Sequence, residues 1–148
     1  MCADRGHPDT GFGVRYLVGR YADGYLQRSG QVRGYSHLIW QGRHVAEVTQ
    51  LTATEAAGFW LDVVDAARAV QAVCRPVTVN LSVLGNGLPH LHAHVIPRYA
   101  VGDPRPGRPL PHRYLDQGTQ DEEQVARCAA DLVTYLAKPR DGDDVPVT

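Results

Sequence analysis

The stretch HLHAHVIPRY, residues 90–99, sets His90, His92 and His94 at alternate positions. An imidazole with its ordinary pKa near 6.5 can serve as a neutral nucleophile or as a charged donor around neutral pH. In an extended strand, residues i, i+2 and i+4 share one face. The spacing therefore predicts three imidazoles on one side, with Leu91, Ala93 and Val95 on the other. Neighbouring rings then start about 6.7 Å apart and the outer pair about 13 Å apart. Two alternate histidines can chelate one metal ion, but three on a straight strand converge on it poorly. A row of three better suits an elongated polar group, such as a phosphate chain or a transferring phosphoryl centre. One ring can attack while its neighbours fix its tautomer and supply protons. A single strand histidine is ordinarily just a satisfied polar side chain; three in this pattern favour chemistry.

Several elements must position that row. Three β-like segments, 12–21, 23–29 and 34–41, are rich in aromatic and β-branched residues and are separated by turns containing glycine. A long helix follows. Thr52 and Glu55 form a capping box, Leu51 is placed to staple onto Ala56, and Phe59, Val63, Ala66, Val70 and Val73 make one apolar stripe that Pro76 ends. Strands over 77–85 and 90–98 come next, joined by the short link NGLP, which predicts antiparallel neighbours. Residues 102–112, GDPRPGRPLPH, read as an extended loop. A second helix is expected over about 120–137, with Thr119 and Glu122 as its capping box and Val125, Cys128, Leu132 and Leu136 as its buried stripe. The order β-β-β-α-β-β-loop-α predicts an α+β fold, an antiparallel sheet with helices on one face. The 148 residues fit a single domain with a core over about 12–138 and a flexible polar tail at 139–148.

Charge narrows the function classes. With 15 basic and 16 acidic side chains, the chain lacks the broad positive footprint of a nucleic-acid partner or a membrane patch. One local pocket would still suffice for a small anion. No apolar run reaches the roughly 20 residues that span a bilayer, and MCADRGHPDT lacks the apolar core of a signal peptide. Cys2, Cys74 and Cys128 are odd in number and scattered, so they do not read as a disulfide framework, and the cytoplasm is the expected compartment. Cys74 and Cys128 fall on helical stripes and read as core residues.

HLHAHVI matches the pattern His-φ-His-φ-His-φ-φ, with φ hydrophobic, and so resembles the signature of the histidine triad (HIT) family. The following Pro97-Arg98 and the upstream GRHVAEVTQLTATE (42–55) are similar to that family too. The resemblance covers roughly residues 12–100, and the compact LGNGLPHLHAHVIPRY with its DPRPGRP loop looks like a small bacterial subgroup. It implies a HIT-like antiparallel sheet, a long helix after the third strand and a C-terminal helix. It also implies a homodimer that hydrolyses or transfers nucleotidyl groups through a covalent nucleotidyl-histidine. By position, His92 would be the nucleophile at the α-phosphorus. His94 would contact the phosphate and help the leaving group depart, His90 would orient the others by hydrogen bonding, and His44 would support the triad strand.

For the nucleotide, the resemblance points to Gln27 where relatives carry an Asp or Asn that holds the ribose hydroxyls. It points to Asn80 as a further residue facing the site. It also points to Asn86 and Gly87, where relatives have Gly-Gln-Ser or Gly-Gln-Thr. Gly87 lacks the hydroxyl used there, so backbone N–H groups would have to hold the oxyanion, and Asn86-Gly87 is equally a good turn dipeptide. Arg98, Arg105 and Arg108 could touch a polyphosphate, though solvated loop charges are the preferred reading. No cofactor is required. Some family members hold a structural zinc through an N-terminal Cys-x-x-Cys; here position 5 is Arg5. Cys2, His7, His44 and His90 could form only a degenerate four-ligand site, ranked below the metal-free reading. Three functions follow in order of preference: a nucleotide hydrolase or nucleotidyl transferase, a nucleotide-binding or scaffold protein without turnover, and a zinc-dependent module.

Overall fold

The computed structural model describes residues 6–139. Its elements run β1 (Gly13–Val18), β2 (Ala22–Gln27), β3 (Ser36–Trp40), a 3-10 turn (Val48–Gln50), α1 (Ala53–Cys74), β4 (Thr78–Val83), β5 (His92–Arg98), α2 (His112–Asp116) and α3 (Glu122–Leu136). The five strands form one antiparallel sheet in the order β1-β2-β3-β5-β4. This is the expected α+β architecture. The expected strand bounds shorten, most consequentially at the histidines: β5 begins at His92, so His90 lies before the strand and not within it. Of the tail expected at 139–148, residues 140–148 lie outside the described residues.

α1 starts where its capping box predicts. The Glu55 N–H donates to Thr52 Oγ1 and the Thr52 N–H to Glu55 Oε2, which satisfies two of the free donors of the first turn. The helix ends at Arg75 in the left-handed region, φ 53°, just before Pro76. Phe59, Val63, Ala66 and Val70 are buried against Leu38, Trp40, Leu91, Ala93 and Val95 in one apolar cluster. α3 lies beside α1 and completes the layer with Val125, Cys128 and Leu132. Its cap is a correction: Asp121, not Thr119, receives the Gln124 N–H, while Thr119 bridges to Ser29.

A second correction concerns the proline-rich loop. It runs into a third helix, α2, which lies on the opposite face of the sheet. There Leu115 is buried with Val32, Tyr35 and Ile96. Gly30 permits this approach: its φ is +86°, and a Cβ there would stand 2.1 Å from the Leu115 carbonyl oxygen. The loop before α2 hangs on Arg98, which is buried and so departs from the solvated reading. Its guanidinium donates to both Asp103 carboxylate oxygens, to Asn80 Oδ1 and to the carbonyls of Arg105 and Arg108.

α1 also supplies a buried carboxylate to the β1–β2 turn. Asp62 accepts the backbone N–H of Tyr21 at 2.7 Å and of Ala22 at 2.9 Å. Asp62→Ala strips the acceptor from a buried donor at Ala22 and a half-buried one at Tyr21, so it should destabilise the protein by about 3 kcal/mol in a urea titration. Asp62→Asn keeps one acceptor and should recover part of the loss.

Candidate functional site

Antiparallel partners point to the same side of a sheet, so register defines the site. His94 is paired with His37 of β3 and with Ser82 of β4, and His92 is paired with Ile39. Tyr25 of β2 faces His37, and Gln27, two residues on, shares that face. The outcome is a polar face on the side of the sheet away from α1. Its middle holds His37, His92 and His94, while Leu91, Ala93 and Val95 face the core. The ring centroids of His92 and His94 are 5.0 Å apart, and His37 sits 4.7 Å from His94 and 5.9 Å from His92.

The hydrogen bonds give each ring a role. His92 Nδ1 lies 2.7 Å from the carbonyl oxygen of His90. A carbonyl can only accept, so the proton sits on Nδ1 and the Nε2 lone pair faces the open side. His90 therefore orients the middle histidine through its backbone. Its own ring turns away, with Nε2–H donating to the Trp40 carbonyl at 3.0 Å and Nδ1 lying 3.4 Å from His44 Nδ1. His94 Nδ1 meets the Tyr35 hydroxyl at 2.8 Å, and the same hydroxyl lies 3.0 Å from His37 Nε2. That leaves His94 Nε2 and His37 Nδ1 buried with no protein partner among the described residues. Burial lowers the His94 pKa to about 4, and the neighbouring His92 and His112 rings push the same way. His37 is held well below its ordinary value by burial first, then by His94, His92 and His112. Both rings are thus neutral at pH 7.

Neither His37 nor Tyr35 was singled out by the spacing argument, although SHLIW is plainly a strand. Their membership depends on β3 lying beside β5, a pairing across more than fifty residues that local periodicity does not reveal. A direct consequence is testable. Tyr35→Phe removes the one hydroxyl that joins His94 to His37. Because that hydroxyl is buried between the two rings, its loss should destabilise the protein by about 1–2 kcal/mol in a urea titration, the range expected for losing a buried hydrogen bond.

The remaining sequence candidates divide. Gln27 is buried; its Nε2 donates to Ser29 Oγ at 2.6 Å, while its Oε1 has no partner among the described residues. Asn80 shares the histidine face, but its Oδ1 is engaged by Arg98. Asn86 and Gly87 are exposed in the 84–91 connection, which is longer than the four-residue link expected, and a Cβ on Gly87 would meet nothing within 4 Å. For zinc, His44 and His90 offer adjacent nitrogens, yet no group of three potential ligands converges among the described residues. Cys2 lies outside them. No described helix is long and apolar enough to cross a membrane.

The family model described as the HIT domain matches residues 25–101. No curated protein matches the chain. Among solved structures, a histidine triad protein from Bradyrhizobium japonicum superposes with a TM-score of 0.75 at 18% identity, covering 84% of this chain and 90% of that one. One from Marinobacter aquaeolei gives 0.72 at 23% identity, covering 84% and 91%. A zinc-bound histidine triad family protein from Mycobacterium smegmatis gives 0.59 at 21% identity, covering 83% and 86%. At these identities the likeness speaks to the fold.

Proposed function

The chain belongs to the HIT-domain family, and from that premise we propose that it is a nucleotide hydrolase or nucleotidyl transferase working through a covalent nucleotidyl-histidine at His92. The observation that carries the reading is the bond from His92 Nδ1–H to the His90 carbonyl. It fixes the tautomer in which Nε2 is the basic, nucleophilic nitrogen, as a buried acceptor does for a catalytic imidazole. The substrate is a nucleoside phosphoester, phosphoramidate or dinucleoside polyphosphate. Nε2 attacks the α-phosphorus, the leaving group departs, and water or another acceptor releases the nucleotide from His92.

Flanking groups support the two charge-handling steps. If Tyr35 donates to His94 Nδ1 and accepts from His37, His94 presents an Nε2–H to a non-bridging phosphate oxygen. The bare Oε1 of Gln27 suits a ribose hydroxyl, two strands from the nucleophile. Asn86 and the backbone N–H groups around Gly87 are assigned to the phosphate, and His44 supports the ring of His90. No cofactor enters these steps. The proposal includes a homodimer, which a solution mass near the 16.2 kDa of one chain would remove. It also includes a cytoplasmic setting, supported by three cysteines too scattered in the sequence for a disulfide framework.

Hydrolysis in water enriched in oxygen-18 tests the bond that breaks. Attack at the α-phosphorus should place the label on the nucleoside monophosphate. Label on the leaving group would refute the assignment. Nucleotide binding without turnover of any of the three substrate types would leave a binding protein.

A further inference from the structure

His112 opens α2 and has no part in the steps above. Its Nδ1 lies 2.7 Å from Asp116 Oδ2, one helical turn on. Its ring meets that of His94 edge-on, with centroids 5.7 Å apart and an interplanar angle of 82°. The carboxylate takes the Nδ1–H, so Nε2 is the nitrogen left to exchange a proton with a ligand. The anchoring of α2 by Leu115 on Tyr35 and Ile96 fixes this dyad against the histidine face. Unlike His94, the His112 side chain is 58% exposed, so a hydrolytic water can reach it.

The direction of the site is also defined. Gln27 is on β2, the triad on β5, and a groove of about 1030 Å³ opens on the β4 side, lined in part by Asn80, Ser82, Ile96, Leu110 and His112. A nucleoside held at Gln27 with its α-phosphorus at His92 therefore directs its leaving group toward His112 and the groove.

We propose that His112, positioned by Asp116, is the general acid–base of the reaction. This inference rests on the reading of His92 as nucleophile. In the first step a P–N bond forms to His92 Nε2 and the bond from phosphorus to the leaving oxygen or nitrogen breaks. The His112 imidazolium gives its Nε2 proton to that leaving atom. In the second step neutral His112 takes a proton from the attacking water, the P–O bond forms, and the P–N bond to His92 breaks. His112 ends protonated and His92 neutral, as they began.

The test compares His112→Ala with the wild-type protein on two AMP derivatives: the 4-nitrophenyl ester, whose phenolate leaves without a proton, and an aliphatic-amine phosphoramidate, whose leaving nitrogen must be protonated. The variant should lose at least roughly 100-fold more kcat on the phosphoramidate than on the ester, the scale of general acid catalysis. Asp116→Asn should show a smaller loss with the same substrate dependence and a shifted pH profile. An equal loss on both substrates, or none on either, with an unchanged melting transition would overturn the assignment. The failure of the underlying reading is separate: wild-type protein forming no nucleotidyl adduct with either compound would remove His92, and His112 with it.

Discussion

His92→Ala is expected to lower kcat/KM on an AMP phosphoramidate by about 10⁴-fold or more, the scale seen when a covalent nucleophile is deleted. Alanine leaves the strand intact: Ala93 and Val95 of β5 stay in the core with Leu91 just before it, and the His90 carbonyl can turn to water. Substrate affinity should survive, because Gln27 and His94 remain. The loss should thus fall on kcat with KM nearly constant. A variant that keeps more than about a tenth of the activity would mean that phosphorus is attacked by another group or directly by water.

The second large effect is on stability in mild acid. His94 has a folded-state pKa of about 4 against an ordinary value of 6.5, and His37 is displaced in the same direction by its burial. A histidine whose pKa is depressed by folding contributes its full stability above the unfolded value. As pH falls from 6.5 toward 4, the unfolded chain binds protons that the folded chain refuses, and that contribution is lost. At about 1.4 kcal/mol per pKa unit, His94 alone accounts for about 3 kcal/mol between pH 7 and pH 4, and His37 adds to it. The carboxylates held low in the folded state, Glu55 and Asp103, begin to lose their contribution only as pH falls to their ordinary values of 4.5 and 3.8, at the bottom of that window. Urea midpoints measured across pH 7 to 4 should therefore drop steeply in wild type and less steeply in His94→Asn. Parallel slopes would show that the two rings protonate freely in the folded protein.

What was legible in the sequence was local. The Thr52–Glu55 box gave the start of α1, the 3.6-residue stripe gave its buried face, and alternation gave a histidine strand with its apolar back. What was not legible depended on long-range contacts. His37 and Tyr35 join the site only because β3 is hydrogen-bonded to β5. α2 has five residues, too few to show a periodicity, and is held by the burial of Leu115. Arg98 reads as a loop charge until Asp103 and the carbonyls of Arg105 and Arg108 close around it. His90 belongs to the motif by spacing, yet the strand starts two residues later, and it is the peptide carbonyl of His90 that orients His92.

The central claim is a covalent bond between His92 Nε2 and the α-phosphorus of a nucleotide. Intact-mass spectrometry of wild type and His92→Ala, mixed with the AMP phosphoramidate and quenched within the first turnover, tests it most directly. The account predicts a mass gain of one adenylyl group on wild type, located at His92 by fragmentation, and none on the variant. Substrate consumed by wild type with no adduct at any quench time, and consumed as fast by the variant, would contradict it.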